Sequence, residues 1–237
     1  MAQLPDGMKI TWLGHATVLF ETSGGKRILV DPWTANNPAC PEELKDVGRL
    51  DAILVTHGHG DHIQDCIDVA KSGGDPPVLA IIEVGSWLGE QGVQNVVGFN
   101  KGGSYEVEGI VVAHMTDAKH SSSLPDGSYG GEPAGFVLEF PDGYRVYHAG
   151  DTCVFGDMAL IGKLLKPDLA LLPIGDHYTM GPASAAEAVR LLGVKTVIPI
   201  HFGTFPPLIG RPDDLRKEAS DVDGLEVIEL QPGEMLG

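Results

Sequence analysis

Positive charge is in short supply in this chain: 16 lysines and arginines stand against 33 aspartates and glutamates, a net charge of −17. A protein that grips a phosphate backbone needs clustered cations to displace counterions, so nucleic acid is excluded as the expected partner. Taken alone, the acidity reports solubility and is silent on catalysis. Cysteine is also sparse. Cys40, Cys66 and Cys153 are odd in number and show no C-x-x-C spacing, which supports neither a disulfide framework nor a thiolate zinc site and fits a reducing cytoplasm. A run of about 18 apolar residues is absent, and MAQLPDGMKITWLGHATVLF lacks the charged start, unbroken apolar stretch and cleavage site of a signal peptide. The expectation is a cytoplasmic protein that neither crosses a membrane nor leaves by that route. Hydrophobic residues at 43 % and charged residues at 21 % describe an ordinary globular core, and the chain reads as one domain, residues 1–237.

What is present is a strong alternation of apolar runs and turns. KITWLG, TVLFET and RILVD, between Lys9 and Asp31, are β-branched and aromatic runs broken by glycine turns, the pattern of antiparallel strands. DAILVT (51–56) predicts a short strand, and behind it Ile63, Cys66, Ile67 and Ala70 fall at the spacing of a half-buried helix. GFVLEF and YRVYHA flank Pro141-Asp142-Gly143, a hairpin signal. There follow a helix around Asp157 to Leu165, the strand DLALLPI, a helix from about Ala183 to Leu192 stopped by Gly193, the strand TVIPI, and a last short helix and strand. Asn36 to Pro41 and Pro125 to Pro133 read as loops. Two halves of similar pattern predict an α/β (α+β) architecture in which two sheets pack face to face with helices outside, a four-layer αββα sandwich.

The stretch THGHGDH, Thr56 to His62, concentrates the chemistry. Imidazole and carboxylate suit zinc and other first-row divalent metals. His57 and His59 are two apart at a strand end and point the same way; Asp61 and His62 follow as the helix begins, with Gly58 and Gly60 permitting the turn. Four ligands in six positions do not readily reach one small ion, whereas two ions a few ångströms apart accommodate them. A lone histidine is more often a hydrogen-bonded surface or core residue, but H-x-H-x-D-H directly after an apolar strand points to metal.

The segments WLGHAT, THGHGDH, FNKGG, KHSSS, HAGDT, LPIGDHYTMGP and PIHFGTFP, in order along nearly the whole chain, resemble those of the metallo-β-lactamase superfamily. Within it they are similar to a bacterial and archaeal branch of metal-dependent hydrolases related to L-ascorbate-6-phosphate lactonase. The resemblance implies the metallo-β-lactamase fold with two divalent transition metal ions at the sheet edge, zinc first, with manganese, iron or nickel as alternatives. It implies His57, His59 and His120 on the first ion, Asp61, His62 and His201 on the second, and Asp151 bridging both. The residues agree: His120 follows a strand, Asp151 ends the hairpin and His201 ends TVIPI, all at strand ends where loops build sites. His114, six residues before His120, lies inside the apolar run IVVAHM and reads as structural.

Other positions are candidates to orient ligands or contact substrate: His15 in WLGHAT, His148 in HAGDT and His177 in IGDHYTM. His148 reads equally as a hairpin packing residue. His177 is the preferred substrate contact, because its loop should open near the metals. Asn100, Lys101, Ser121, Ser122 and Thr179 are either a polar pocket wall or turn chemistry. Cys153, two residues after Asp151, is expected to be a small buried hydrophobe rather than a reactive thiolate.

Two divalent ions sharing a water lower its pKa towards neutrality, so the implied mechanism is attack by a metal-bridged hydroxide on a carbonyl carbon or phosphorus. Asp61 and Asp151 are the catalytic carboxylates, fixing geometry and relaying protons. The expectation is a binuclear hydrolase of a small ester, lactone or phosphodiester. A di-metal redox or oxygen-handling protein is the alternative, opposed because such relatives carry an added flavin domain for which the chain has no room. A non-catalytic metal-binding member is opposed by the full set of seven ligand positions, and RNA processing by the missing basic arm. The expected partner is a small-molecule substrate, without nucleic acid or membrane; a homo-oligomer stays open.

Overall fold

The computed structural model describes residues 4–237. The first sheet contains β1 (Lys9–Trp12), β2 (Val18–Glu21), β3 (Arg27–Val30), β4 (Ala52–Leu54), β5 (Val78–Ile81) and β6 (Val96–Phe99). The second contains β7 (Ser104–Val107), β8 (Val111–Asp117), β9 (Ala134–Glu139), β10 (Arg145–His148), β11 (Leu169–Pro173), β12 (Thr196–Ile200) and β13 (Glu226–Val227). A short β14 (Met235–Leu236) returns to pair with β1. The helices are α1 (Gly60–Ile63), α2 (Cys66–Ser72), α3 (Ile82–Glu90), α4 (Met158–Leu165), α5 (Pro182–Leu192) and α6 (Pro212–Glu218).

Both sheets repeat one plan. In the first, β14, β1, β2 and β3 are antiparallel and β3 to β6 parallel; in the second, β7 to β10 are antiparallel and β10 to β13 parallel. Hairpins account for the antiparallel edges: the Ser-Gly-Gly turn closes β2 onto β3 with Gly25 at φ 73°, and Phe140 to Tyr144 closes β9 onto β10 with Gly143 at φ 86°.

Period-two alternation assigns each side chain to a layer. Phe136, Leu138, Val146, Leu169, Leu171, Ile198 and Ile200 join the core shared with the first sheet, while Val137, Tyr147, Ala170, Leu172 and Val197 pack with Met158, Ala185, Val189 and Leu215 of the helices. β11 is buried on both faces, which explains why DLALLPI is continuously apolar. Completely burying a side chain such as Phe136 contributes roughly 1.5–3 kcal/mol. Residues of α2 and α3, among them Cys66, Val69, Val84 and Leu88, close the outer face of the first sheet. Two facing sheets with helices outside each make the four expected layers.

The half-buried helix expected after the histidine cluster is broken in two at Gln64-Asp65. Asp65 turns its carboxylate to the neighbouring loop, accepting from the backbone N–H of Thr34 (2.7 Å) and Asn36 (3.1 Å) rather than extending the helix. α5 follows the sequence closely, with Pro182 in its first turn and Gly193 left-handed (φ 70°) at its end. No helix among the described residues is long and apolar enough to cross a membrane.

Candidate metal centre

Five chain segments meet at one edge of the sheets. β4 runs out through Val55 and Thr56 to His57; His59, in extended conformation, caps α1, which carries Asp61 and His62. His120 lies three residues beyond β8, Asp151 three beyond β10, His201 directly after β12, and His15 in the β1–β2 connection. His15, Asp31 and His201 hold left-handed backbone (φ 57°, 52° and 54°), unusual for residues with side chains and found where a site dictates the path. Gly58 is needed for close approach, since a Cβ there would sit 3.0 Å from the Ser123 carbonyl oxygen. Gly60, expected to share that task, has room for a side chain and an ordinary φ, so helix entry and not glycine freedom shapes that half of the turn.

Two groups of ligand atoms result. His57, His59 and His120 converge, with His57 Nε2 3.0 Å from His59 Nδ1 and ring centres 4.6, 5.2 and 5.3 Å apart. His15, Asp61, His62 and His201 form the second group. Asp151 stands between: its Oδ2 lies 3.7 Å from His120 Nε2, 3.3 Å from His62 Nε2 and 3.0 Å from His201 Nε2. All seven residues expected to hold metal are therefore in one cluster.

Behind them lies a residue the sequence reading passed over. Asp31, fully buried at the end of β3, accepts from His62 Nδ1 at 2.8 Å, from Thr56 N–H at 2.8 Å and from the Thr56 hydroxyl at 2.8 Å. That hydroxyl is also 3.0 Å from His57 Nδ1, from which it accepts. Both Nδ1 atoms being engaged, His57 and His62 turn Nε2 to the cluster, the tautomer a metal ligand requires.

The chemistry of the donor set fits divalent ions. His62 Nε2, His201 Nε2 and Asp151 Oδ1 are buried without a hydrogen-bond partner, although their neighbours are donors and acceptors. Buried polar atoms are normally paired, and ring nitrogens and a carboxylate oxygen left unpaired within one cluster suit a cation. Burial pushes the pKa of His57 well down, and those of His59 and His120 down, so all three favour the neutral, ligating form. Burial lowers His15 to about 4, with the neighbouring His201 adding to the effect. At His62 burial is overcome by the charges of Asp151 and Asp31, which raise it well above the usual range; carboxylates that favour a proton there favour a dication equally. Asp151 is held well below the carboxylate range, the charges and contacts of His201 and His62 outweighing burial. Asp61 is lowered in the same way, by the hydrogen bond from His15 and the charge of His62 against burial.

The remaining candidates divide. A cavity of about 240 Å³ opens on the cluster, walled by His59, Asp61, His120, Ser121, Asp151, Tyr178 and His201. Ser121 is thus a wall residue, 3.5 Å from His59 Nε2. Ser122 fastens the cluster, accepting from Gly58 N–H and donating to Gly130 O. His177 is exposed and outside the wall, and its neighbour Tyr178 takes the place over the cavity. Consecutive left-handed residues, Asp176 (φ 66°) and His177 (φ 61°), turn the chain so that this exchange occurs. His148 is buried, its Nε2 donating to Ala16 O in the β1–β2 connection and its Nδ1 accepting from Gly150 N–H, so it ties the end of β10 to the other sheet. Asn100 makes turn contacts only, its Oδ1 accepting from Lys101 N–H, while Lys101 pairs with Asp117. Thr179 bonds Met180 O and lies off the wall. His114 pairs with Glu139 across β8 and β9. Cys153 is exposed, contrary to the buried hydrophobe expected, because the chain leaves the core directly after Thr152. Another cavity, of about 260 Å³, lies against α4 between Met115, Phe155 and Leu160 and contains none of the clustered ligands.

Known proteins share this sequence and geometry. The family profile described as "Beta-lactamase superfamily domain" matches residues 26–202. A UPF0173 metal-dependent hydrolase from Rubrobacter xylanophilus is 54 % identical over 236 residues, covering 98 % of this chain and 97 % of that protein. One from Koribacter versatilis is 51 % identical over 231 residues, covering 96 % and 97 %. Among solved structures, a metallo hydrolase from the archaeon Ignicoccus hospitalis superimposes with a TM-score of 0.85 at 35 % identity, covering 97 % of each chain.

Proposed function

The chain belongs to the β-lactamase superfamily, in its UPF0173 metal-dependent hydrolase family, and from that premise we propose a binuclear hydrolase that acts on a small ester, lactone or phosphodiester. Metal-dependent hydrolysis is the activity of the family; the two ions, the nucleophile and the substrate class are the proposal. One observation carries it: Asp151 Oδ2 lies within 3.7 Å of histidines from both ligand groups, the position of a carboxylate shared by two cations. His57, His59 and His120 would hold one ion, and Asp61, His62 and His201 the other.

Bound there, two divalent cations, zinc in the first instance, would acidify a shared water and supply hydroxide at neutral pH. The chain's own residues do the rest. Asp31 and Thr56 fix the imidazoles, so little reorganisation is needed when substrate arrives. Both Asp61 and Asp151 wall the cavity; Asp61, with its side chain 31 % exposed, is placed to accept a proton from the substrate side, while Asp151 at 3 % serves geometry. A cavity of about 240 Å³ with Tyr178 at its rim suits a small molecule. We take residues 1–237 as one hydrolase domain.

The test is a panel of lactones, thioesters and phosphodiesters offered to zinc-, manganese- and nickel-loaded protein, with metal counted per chain. Turnover of at least one class is expected, with about two ions per chain and loss of activity in His59→Ala. Equal rates in wild type and His59→Ala across every class and metal would overturn the reading.

A further inference from the structure

We infer that His15 is a positioning residue for the second cation pocket: it holds Asp61 through its imidazole and His201 through its ring and backbone. The inference deepens the two-ion reading and rests on it. His15 has no exposed surface, and its Nε2 donates to Asp61 Oδ2 at 3.1 Å. Its carbonyl oxygen accepts from His201 N–H at 2.8 Å, and the two ring centres are 3.8 Å apart at a 41° tilt. One residue of the β1–β2 connection therefore touches a group from α1 and a group from the end of β12 at once.

By distance alone His15 belongs to the same group as Asp61, His62 and His201, so direct ligation is the rival assignment. Ring spacing decides between them. Two imidazoles on one tetrahedral ion, with bonds of about 2 Å, keep their ring centres about 5 Å apart. The triad of His57, His59 and His120 has spacings of 4.6, 5.3 and 5.2 Å, and His62 stands 5.7 Å from His201. At 3.8 Å and a 41° tilt, the rings of His15 and His201 are too close to radiate from one ion and instead press against each other, and His201 walls the cavity whereas His15 does not.

His15 is itself braced. Trp33 and Phe205 meet its ring edge-on at 5.2 and 5.4 Å, and the indole N–H of Trp12 donates to its carbonyl oxygen at 2.9 Å. Its left-handed backbone follows Gly14 at φ 98°, where a Cβ would meet Ala39 at 2.9 Å. The hairpin turn is thus bent into a conformation costly for a histidine in order to bring an imidazole beneath Asp61. Asp61 has no other hydrogen-bond donor to its carboxylate among the described residues. Ligands are commonly oriented by such outer partners, whose loss weakens metal binding about 10–100-fold.

The experiment measures both zinc affinities by chelator competition, with zinc counted per chain, in wild type, His15→Asn, His15→Gln, Asp61→Ala and the His15→Asn/Asp61→Ala double variant. Asparagine tolerates left-handed backbone and is too short to reach Asp61, so the fold is kept while the contact is lost. Glutamine returns an amide N–H at the distance of Nε2. Expected are two zinc ions in wild type, a weaker second zinc in His15→Asn by about 10–100-fold with the first unchanged, and substantial recovery in His15→Gln. The double variant should lose less second-site affinity than the sum of the two single losses, because the part of the His15 effect that runs through Asp61 is already gone. Unchanged second-site affinity in His15→Asn, equal weakening of both sites, or a His15→Gln protein no better than His15→Asn each overturns the positioning role and leaves the two-ion reading intact. A wild-type protein that takes only one zinc overturns both.

Discussion

His62 Nδ1 donates to Asp31 Oδ2 across 2.8 Å, and neither side chain reaches solvent. The two residues are 31 positions apart, and the contact exists because Val30 of β3 pairs with Leu54 of β4, which sets residue 31 beside Thr56 and the start of α1. Asp31 then has three donors to satisfy, and it orients His57 and His62 together.

Asp31→Asn keeps the shape and the tolerance for left-handed backbone but removes the charge. Metal affinity is expected to fall about 10–100-fold, since the partner that fixes His62 is weakened. Breaking a buried ion pair on one side costs about 3–5 kcal/mol, so urea unfolding of the metal-free protein should register a loss of that order. Affinity and stability both within error of wild type would show that Asp31 neither orients nor compensates His62.

Gly175→Ala tests how closely β11 and β12 approach behind the cluster. A Cβ at Gly175 would lie 2.2 Å from the carbonyl oxygen of His201, which is backbone and cannot swing aside. The expected result is destabilisation by about 1–3 kcal/mol. Because the strain falls on His201, zinc affinity should drop as well, whereas Gly89→Ala, with open space around its Cβ, should leave both unchanged.

Tyr178 and His177 are neighbours in sequence with different expectations. Tyr178→Ala removes part of the cavity wall and should raise KM about five- to tenfold on whichever substrate is turned over, equivalent to about 1–1.4 kcal/mol. It is also half exposed, so the melting temperature should barely move. His177→Ala, off the wall, should alter neither. A larger kinetic effect from His177→Ala than from Tyr178→Ala would reverse the placement.

Thiol reactivity should separate the three cysteines. Burial raises Cys40 to about 11 and Cys66 further still, and raising a thiol's pKa reduces the thiolate present at any pH below it. Cys153 alone is exposed. A chromogenic disulfide reagent at pH 8 should therefore titrate one thiol quickly in native protein and three after unfolding, and moving from pH 8 to pH 9 should not recruit Cys66.

Much of the centre is legible in the order of residues along the chain. Thr56 to His62 declares itself because its ligands share one turn, and His120, Asp151 and His201 stand out because apolar strands run into them. Asp31 carries no such signal: an acid closing an apolar strand looks alike whether it faces water or a buried imidazole. His177 draws attention as a histidine, yet two left-handed residues hand the cavity to Tyr178. The break between α1 and α2 is hidden for a similar reason, since the apolar spacing of Ile63, Cys66 and Ala70 continues across it while Asp65 bonds a distant loop.

By itself the sequence determined the layer pattern, the strand ends and the kinds of ligand available, because periodicity and turn chemistry act between near neighbours along the chain. Only the tertiary structure decided which carboxylate backs which imidazole and which of two adjacent side chains walls the cavity. Those outcomes depend on strand register and on the direction in which a few strained residues turn, and both are settled by contacts between segments far apart in the chain.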